Sequence, residues 1–145
     1  MSSLFTLNPE HGYVAAAVVG SVIVQDIWMS AKVYRARRKY RIPYPNQYGD
    51  EVKHKQFNCM QRAHMNTVEY SSHYYAALLT AGVQYPVVAG IGGLIYNIGR
   101  IFYFKRYSSG DPEKRHLGTM VTYIGFLMLL GAAGKTAFDL VRQKY

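Results

Sequence analysis

Four polar side chains recur along one stretch of the chain at a spacing that would place them together. They are Arg62, Asn66, Glu69 and His73, separated by four, three and four residues. Side chains at that spacing lie on one face of an α-helix, and the four residues are here called the polar stripe. An arginine can bind a carboxylate through two parallel hydrogen bonds, and a glutamate can accept from an ammonium group. Together with Arg100 further along the chain, Arg62 outnumbers the single Glu69, and this surplus of positive charge suits an anionic ligand that also carries one cationic group.

A second polar file repeats the same spacing further along the chain. Its members are Tyr96, Arg100, Tyr103 and Tyr107. Ionisable groups at membrane depth are costly, and by default they mark a functional site. The alternative is that Arg62, Glu69 and Arg100 form internal salt links between packed helices.

Two long stretches of the chain contain no Asp, Glu, Lys or Arg. One runs between Glu69 and Arg100, and the other between Arg115 and Lys135. Uncharged stretches of about 18 or more residues are typical of membrane-spanning helices. The first stretch is interrupted at residues 81–86 by a Gly and a Pro, which predict a tight turn between two spans.

An earlier apolar run, residues 13–24, follows the segment Asn8-Pro9-Glu10, which is typical of a helix start. No basic residue precedes the run, so we expect a permanent helix and not a cleaved signal peptide. The sequence therefore predicts an all-α, integral membrane four-helix bundle in a single domain over residues 1–145. The predicted helices cover about residues 9 to 35–39, 55–81, 86–107 and 113–142.

The net charge of +9 raises the possibility of nucleic-acid binding. Eight of the 17 Lys and Arg, however, lie at the end of the first span or in the connection that follows it, and four more follow the third span. The turn at residues 82–86, on the opposite side, has none. This asymmetry predicts a membrane protein with both basic loops in the cytoplasm and both termini on the other side, and no nucleic-acid partner.

The reactive side chains outside the two polar files predict neither a disulfide nor a metal site. Cys59 is the only cysteine, so no intramolecular disulfide can form. The histidines have no metal-ligand spacing with a carboxylate or cysteine. We expect Cys59 to be a small helix residue rather than a nucleophile.

The segment RAHMNTVEY, from Arg62 to Tyr70, resembles the Arg-Ala-x-x-Asn-x-x-Glu-Tyr signature of the membrane-associated proteins in eicosanoid and glutathione metabolism, the MAPEG family. ARRKYRIPYP before it and GRIFYFKRYSSGDPEKR after it extend the resemblance over roughly the whole chain. The resemblance implies a homotrimer in the endoplasmic reticulum membrane, with glutathione bound between subunits near the cytoplasmic side. The implied activity is transfer of glutathione to lipophilic electrophiles, together with reduction of lipid hydroperoxides.

The resemblance also implies which residues contact glutathione. On helices two and three the matching positions are Arg62, Asn66, Glu69, Tyr70, Tyr103 and Tyr107. Two helix-one positions, Ser30 and Arg37, would reach the tripeptide from the neighbouring subunit. His64 stands where some members of the family carry Gln.

Two arginines match the positions that act on the reacting groups. Arg115 matches the arginine that holds the glutathione thiolate, and Arg38 matches the one that assists at the lipophilic substrate. The connection after Tyr107 is one residue longer than in some members, so Lys114 is an alternative to Arg115.

The chemistry of glutathione agrees with these residue types. Glutathione carries two carboxylates, one ammonium group and a thiol, and the thiol must lose its proton before it attacks. A nearby guanidinium stabilises the thiolate and lowers the pKa of the thiol. Two alternatives stay open: a non-enzymatic lipid-binding or scaffold member of the same fold, and a small channel or assembly subunit in which the polar files only link helices.

Overall fold

The computed structural model describes residues 8–143 and contains four long helices. The helices are α1 (His11–Lys39), α2 (Lys55–Gln84), α3 (Pro86–Tyr107) and α4 (His116–Arg142). No strand occurs within residues 8–143. The prediction of an all-α bundle is therefore confirmed, and the predicted helix boundaries agree to within a turn.

Three of these segments are long and apolar enough to cross a membrane. They are α1, α3, and α4 together with the short turn before it, Pro112–Arg142. The 30-residue α2 would reach about 45 Å at 1.5 Å per residue, but it is not among the three. The half of α2 that follows the first basic connection carries the polar stripe, which lowers its mean hydropathy. The fourth predicted span stays a prediction.

The hairpin between α2 and α3 turns more sharply than residues 81–86 suggest. α2 continues to Gln84, and only Tyr85 separates it from Pro86, which occupies the first turn of α3. Gly82, read as part of the turn, is buried inside α2. A Cβ atom there would lie 2.9 Å from Val14 Cγ2, so this glycine serves close packing of α2 on α1.

The second basic connection ends in a capped turn that sets the start of α4. Asp111 Oδ1 accepts a hydrogen bond from the Glu113 N–H at 3.1 Å, which begins the 3-10 turn Pro112–Arg115. The regular α-helix then begins at His116 and not at Glu113. Arg115 is therefore the last residue before α4.

The helix α1 is not a uniform α-helix. Residues Ile23–Met29 form a π-helical segment between two α-helical parts. No feature of the sequence predicts this wider turn. It buries Gln25 and Met29 against the bundle and leaves Asp26, near the middle of α1, exposed.

Helices α3 and α4 pack closely along their length, because glycines of α4 lie against the backbone of α3. A Cβ atom on Gly118 would overlap the backbone nitrogen of Tyr103. Only glycine permits this approach. It brings the beginning of α4 next to the polar file on α3.

A buried polar cluster joins α1, α2 and α3 beside that file. Ser21 Oγ lies 2.9 Å from both the Tyr74 hydroxyl and Asn97 Oδ1. Asn97 Nδ2 donates to the Ala17 carbonyl at 3.2 Å. The Tyr74 ring stacks on Tyr96 with centroids 4.0 Å apart. The cluster thus holds the Tyr96 ring in place, and this ring lines a pocket between α2, α3 and α4.

Candidate functional site

A pocket of about 150 Å³ lies between α2, α3 and α4. We call it the arginine pocket, because two guanidinium groups line it and no carboxylate does. Its lining combines hydrogen-bonding groups with aromatic rings. The lining residues are Asn66, Tyr70, Tyr96, Arg100, Tyr103, Arg115, Thr119, Thr122, Tyr123 and Phe126.

Arg100 is the buried charge of this pocket, with 5% of its surface exposed. Its Nη1 donates to Asn66 Oδ1 at 3.0 Å, and its Nε donates to the Tyr96 hydroxyl at 3.2 Å. Its guanidinium carbon lies 5.2–5.4 Å from the ring centroids of Tyr70, Tyr96 and Tyr103. Within residues 8–143 it forms no ion pair. A buried positive charge whose hydrogen-bond partners are all neutral favours an anion in the adjoining space.

The salt-link alternative applies to one pair and not to Arg100. Arg62 Nη1 lies 2.7 Å from Glu69 Oε1, along a single face of α2. Both side chains are nearly half exposed, at 44% and 46%. The pair can therefore open to a ligand at little cost, since exposed ion pairs contribute only about 0–1 kcal/mol.

Arg115 closes the end of the arginine pocket nearest the basic loops. Its Nη1 donates to the Pro112 carbonyl at 3.1 Å, and its guanidinium carbon lies 5.4 Å from the centroid of the Tyr107 ring. Lys114 does not line the pocket; its Nζ lies 3.7 Å from Asp111 Oδ2. Of the two candidates, Arg115 therefore lines the arginine pocket and Lys114 does not. The assignment of the thiolate to Arg115 stays a prediction.

A wider, open pocket of about 460 Å³ adjoins the Arg115 end. Two residues of the predicted site, Arg62 and Tyr107, line this open pocket. Cys59 lines it as well. Tyr107 packs edge-on against Tyr103, with centroids 5.5 Å apart, and so lies between the two pockets. The two pockets therefore lie next to each other along α2 and α3.

The loop that leads into α2 is ordered around this open pocket. Asp50 Oδ1 accepts hydrogen bonds from the N–H groups of Val52 and Lys53, at 3.0 and 2.8 Å. These bonds hold the pKa of the Asp50 carboxyl below its usual value. Asn58 exchanges two hydrogen bonds with the backbone of Gly49, at 2.9 and 3.0 Å. One wall of the pocket is thus fixed by side chains.

The other predicted residues lie away from the arginine pocket in the single chain. Ser30 Oγ lies 3.3 Å from His64 Nε2 at the contact between α1 and α2. Arg37 is 7% exposed and donates to the carbonyls of Asn46 and Gln47. Arg38 is exposed beyond it. Their contact with glutathione or with the lipophilic substrate stays a prediction, and in this chain Arg37 holds a loop.

Apart from Arg115, the residues around α4 that line the arginine pocket are not among those predicted from the sequence. Thr119, Thr122 and Phe126 follow Arg115 at four, seven and eleven residues, which is one face of a helix. The spacing indicates that these side chains share a face with Arg115, but threonine and phenylalanine do not by themselves indicate a binding site. The sequence predicts that Arg100 adds positive charge toward an anionic ligand, but Arg100 is not among the residues predicted to contact glutathione.

Within residues 8–143, no three His, Cys, Asp or Glu side chains are grouped so that they could hold a metal ion. The expectation of a metal-free site stays a prediction.

The fold and the apolar helices define an all-α integral membrane protein. The model of the MAPEG family matches residues 14–135, and the chain belongs to this family. The family includes glutathione-dependent transferases. The chain is similar to leukotriene C4 synthase of Cavia porcellus, with 31% identity over 103 residues. That match covers 70% of this chain and 65% of the relative, so the chain spans less than two thirds of the relative's length.

Proposed function

We propose that the protein is a membrane-bound glutathione transferase, similar to the microsomal type 3 enzymes. It activates the glutathione thiol, conjugates it to lipophilic electrophiles and reduces lipid hydroperoxides. The observation that carries the proposal is the arginine pocket, in which Arg100 and Arg115 face a cavity without any carboxylate. We place the protein in the endoplasmic reticulum membrane, with its basic loops in the cytoplasm.

The charges along α2 and α3 complement those of glutathione. Arg100 offers its buried guanidinium to one carboxylate, and Arg62 offers an exposed one to the other. Glu69 accepts from the ammonium group once its pair with Arg62 opens. Tyr70 and Tyr103 line the same space, and a tyrosine hydroxyl can donate to the peptide backbone.

Arg115 supports the activation of the thiol. It lies at the start of α4, where the backbone N–H groups give the helix end a partial positive charge. A guanidinium and a helix N-terminus together lower the pKa of a thiol and so raise the fraction present as thiolate at neutral pH. The thiolate then attacks an electrophilic carbon to form a thioether.

With a lipid hydroperoxide the same thiolate attacks the terminal peroxide oxygen. The O–O bond breaks, the lipid leaves as an alkoxide that takes up a proton, and glutathione becomes a sulfenic acid. A second glutathione condenses with the sulfenic acid to give the disulfide and water. The peroxide is reduced by two electrons and two glutathione molecules are oxidised, so no metal or other cofactor is needed.

The homotrimer is the assembly that the family resemblance implies, and the size of the arginine pocket agrees with a site to which more than one copy contributes. A cavity of about 150 Å³ is smaller than the roughly 300–1,000 Å³ of a typical small-molecule site. A neighbouring copy that covers this cavity would enlarge it. Asp26 agrees with this, because a carboxylate exposed near the middle of α1 is costly in lipid and is relieved when another subunit covers it.

Glutathione binding and turnover by the purified full chain test the proposal. We expect calorimetric binding of glutathione in detergent, and thioether formation with 1-chloro-2,4-dinitrobenzene as the probe electrophile. A correctly folded protein that binds no glutathione would instead favour the non-enzymatic lipid-binding or scaffold role. The alternative of a small channel or assembly subunit makes the same negative prediction.

A further inference from the structure

Asp26 is a carboxylate on a helix that is long and apolar enough to cross a membrane. It lies near the middle of α1, in the π-helical segment, and it is exposed. Within residues 8–143 it forms no ion pair. A charge at membrane depth is costly and by default marks a functional site, and π-helical turns are frequent at such sites. Asp26 therefore requires a basic partner from outside its own chain.

Two contacts between α1 and α2 define the depth of Asp26 in the bundle. Ser21 Oγ lies 2.9 Å from the Tyr74 hydroxyl, and Ser30 Oγ lies 3.3 Å from His64 Nε2. Asp26 lies between these two contacts along α1. Copies arranged in a ring around an axis along the membrane normal lie at the same depth. A partner in a neighbouring copy must therefore lie close to this level.

His73 is the basic side chain of the polar stripe nearest to that level. Between the two contacts, Asp26 is level with about Glu69, and His73 lies four residues further along α2. That offset is about 6 Å at 1.5 Å per residue. The other basic residue of the stripe, Arg62, lies further away and already pairs with Glu69 at 2.7 Å. His73 is exposed and forms no ion pair within residues 8–143.

The directions of the two side chains reduce this offset. The Cα–Cβ bonds of a helix tilt toward its N-terminus. Helix α1 runs toward the first basic connection, residues 40–54, and α2 runs away from it. The Asp26 side chain therefore leans away from that connection and the His73 side chain leans toward it, so in neighbouring copies they lean toward each other. An imidazole N–H can donate to a carboxylate whether the ring is neutral or charged.

We propose that Asp26 of one copy pairs with His73 of a neighbouring copy. The pair lies about one turn from two residues predicted to contact glutathione, Ser30 on α1 of the first copy and Glu69 on α2 of the second. It is a positioning contact, because it holds α1 of the first copy against α2 of the second and so keeps Ser30 at the neighbour's glutathione. This inference rests on the proposed homotrimer and its shared glutathione site.

Cross-linking between two differently tagged full-length chains tests the pair. Both chains carry Cys59→Ser, which removes the only cysteine; one also carries Asp26→Cys and the other His73→Cys. We expect a short bis-maleimide to join the two chains in the membrane into a dimer with both tags. Thr80→Cys in place of His73→Cys is the matched control. Thr80 is exposed on the same face of α2, about 10 Å further along the helix, and its variant should cross-link at least about tenfold less.

The cross-link is read without glutathione or turnover, so it separates this inference from the proposed function. No cross-link between Asp26→Cys and His73→Cys, or one no stronger than the Thr80→Cys control gives, would overturn the pair, even in a protein that turns glutathione over. A cross-linked protein that binds no glutathione would instead overturn the transferase assignment and leave the pair standing.

The kinetics of glutathione turnover test whether the pair positions the site. Asp26→Asn should raise the KM for glutathione about tenfold and change kcat little, because a charged hydrogen bond is lost while Arg115 is untouched. The double variant Asp26→His with His73→Asp restores the pair in reverse and should recover the wild-type KM. A KM in the double variant as high as in Asp26→Asn would contradict the pairing, and so would a wild-type KM in Asp26→Asn.

Discussion

Arg100 on α3 reaches across to α2 and donates from Nη1 to the side-chain oxygen of Asn66, 3.0 Å away. The partner of this buried guanidinium is therefore an uncharged amide and not a carboxylate. Such an amide orients the arginine without neutralising it. The positive charge stays available to an anionic ligand in the arginine pocket.

Asn66→Asp tests the importance of that neutral partner. The substitution preserves the shape of the side chain but places a carboxylate beside Arg100. We expect glutathione affinity to fall about 10- to 100-fold, because the new ion pair satisfies the arginine internally. Isothermal titration calorimetry in detergent measures the affinity.

Asn66→Ala is the matched control for this experiment. It removes the hydrogen bond from Asn66 but adds no charge, so its loss of affinity should be the smaller of the two. If the aspartate variant bound glutathione as well as the alanine variant does, the charge of Arg100 would not be what holds the ligand.

Glu69→Gln tests whether the polar stripe on α2 binds a ligand or only stabilises the helix bundle. The Arg62–Glu69 pair is nearly half exposed on both sides, so its loss should change the free energy of unfolding by less than about 1 kcal/mol. Glutathione affinity should still fall, because the acceptor for the ammonium group loses its charge. Thermal unfolding and calorimetry on the same preparation give both quantities. The small channel or assembly subunit predicts the reverse: lower stability with no change in any thiol affinity.

Gly118→Ala tests whether the close contact of α4 with α3 positions the site. The added Cβ would overlap the Tyr103 backbone, so α4 must shift. We expect a loss of about 1–3 kcal/mol in unfolding free energy, as for other overpacked contacts. Glutathione turnover should fall as well, since Arg115 moves with α4.

Gly131→Ala on the same helix is the control for this contact. Nothing lies within 4 Å of its added Cβ, so the substitution should stabilise α4 by about 0.5–1 kcal/mol. Thermal unfolding compares the two variants. Similar midpoints for both would show that the packing at Gly118 is not tight.

The sequence predicts the helices well because their signals are local. The uncharged stretches, Pro86 at a helix start and the four-three-four spacings each depend on neighbouring residues only. They correctly place Asn66 and Arg100 on the polar faces of their helices. The spacings do not show that Arg100 meets Asn66 rather than Glu69, because that choice depends on how α3 rotates against α2.

Two other features of the structure could not have been read from the chain. The π-helical turn at Ile23–Met29 arises where α1 is packed on its neighbours, and its residues carry no distinguishing pattern. The α4 wall of the arginine pocket consists of Thr and aromatic side chains that are equally common in a lipid-facing helix. Only the close approach at Gly118 makes Thr119 and Thr122 part of the site.

The most direct test of the account is the ultraviolet absorbance of glutathione thiolate on stopped-flow mixing with the detergent-solubilised protein at neutral pH. We predict a thiolate signal for the wild type, a decrease of at least about tenfold in Arg115→Ala, and an undiminished signal in Lys114→Ala. No signal in the wild type, or equal signals in Arg115→Ala and the wild type, would contradict activation of the thiol by Arg115.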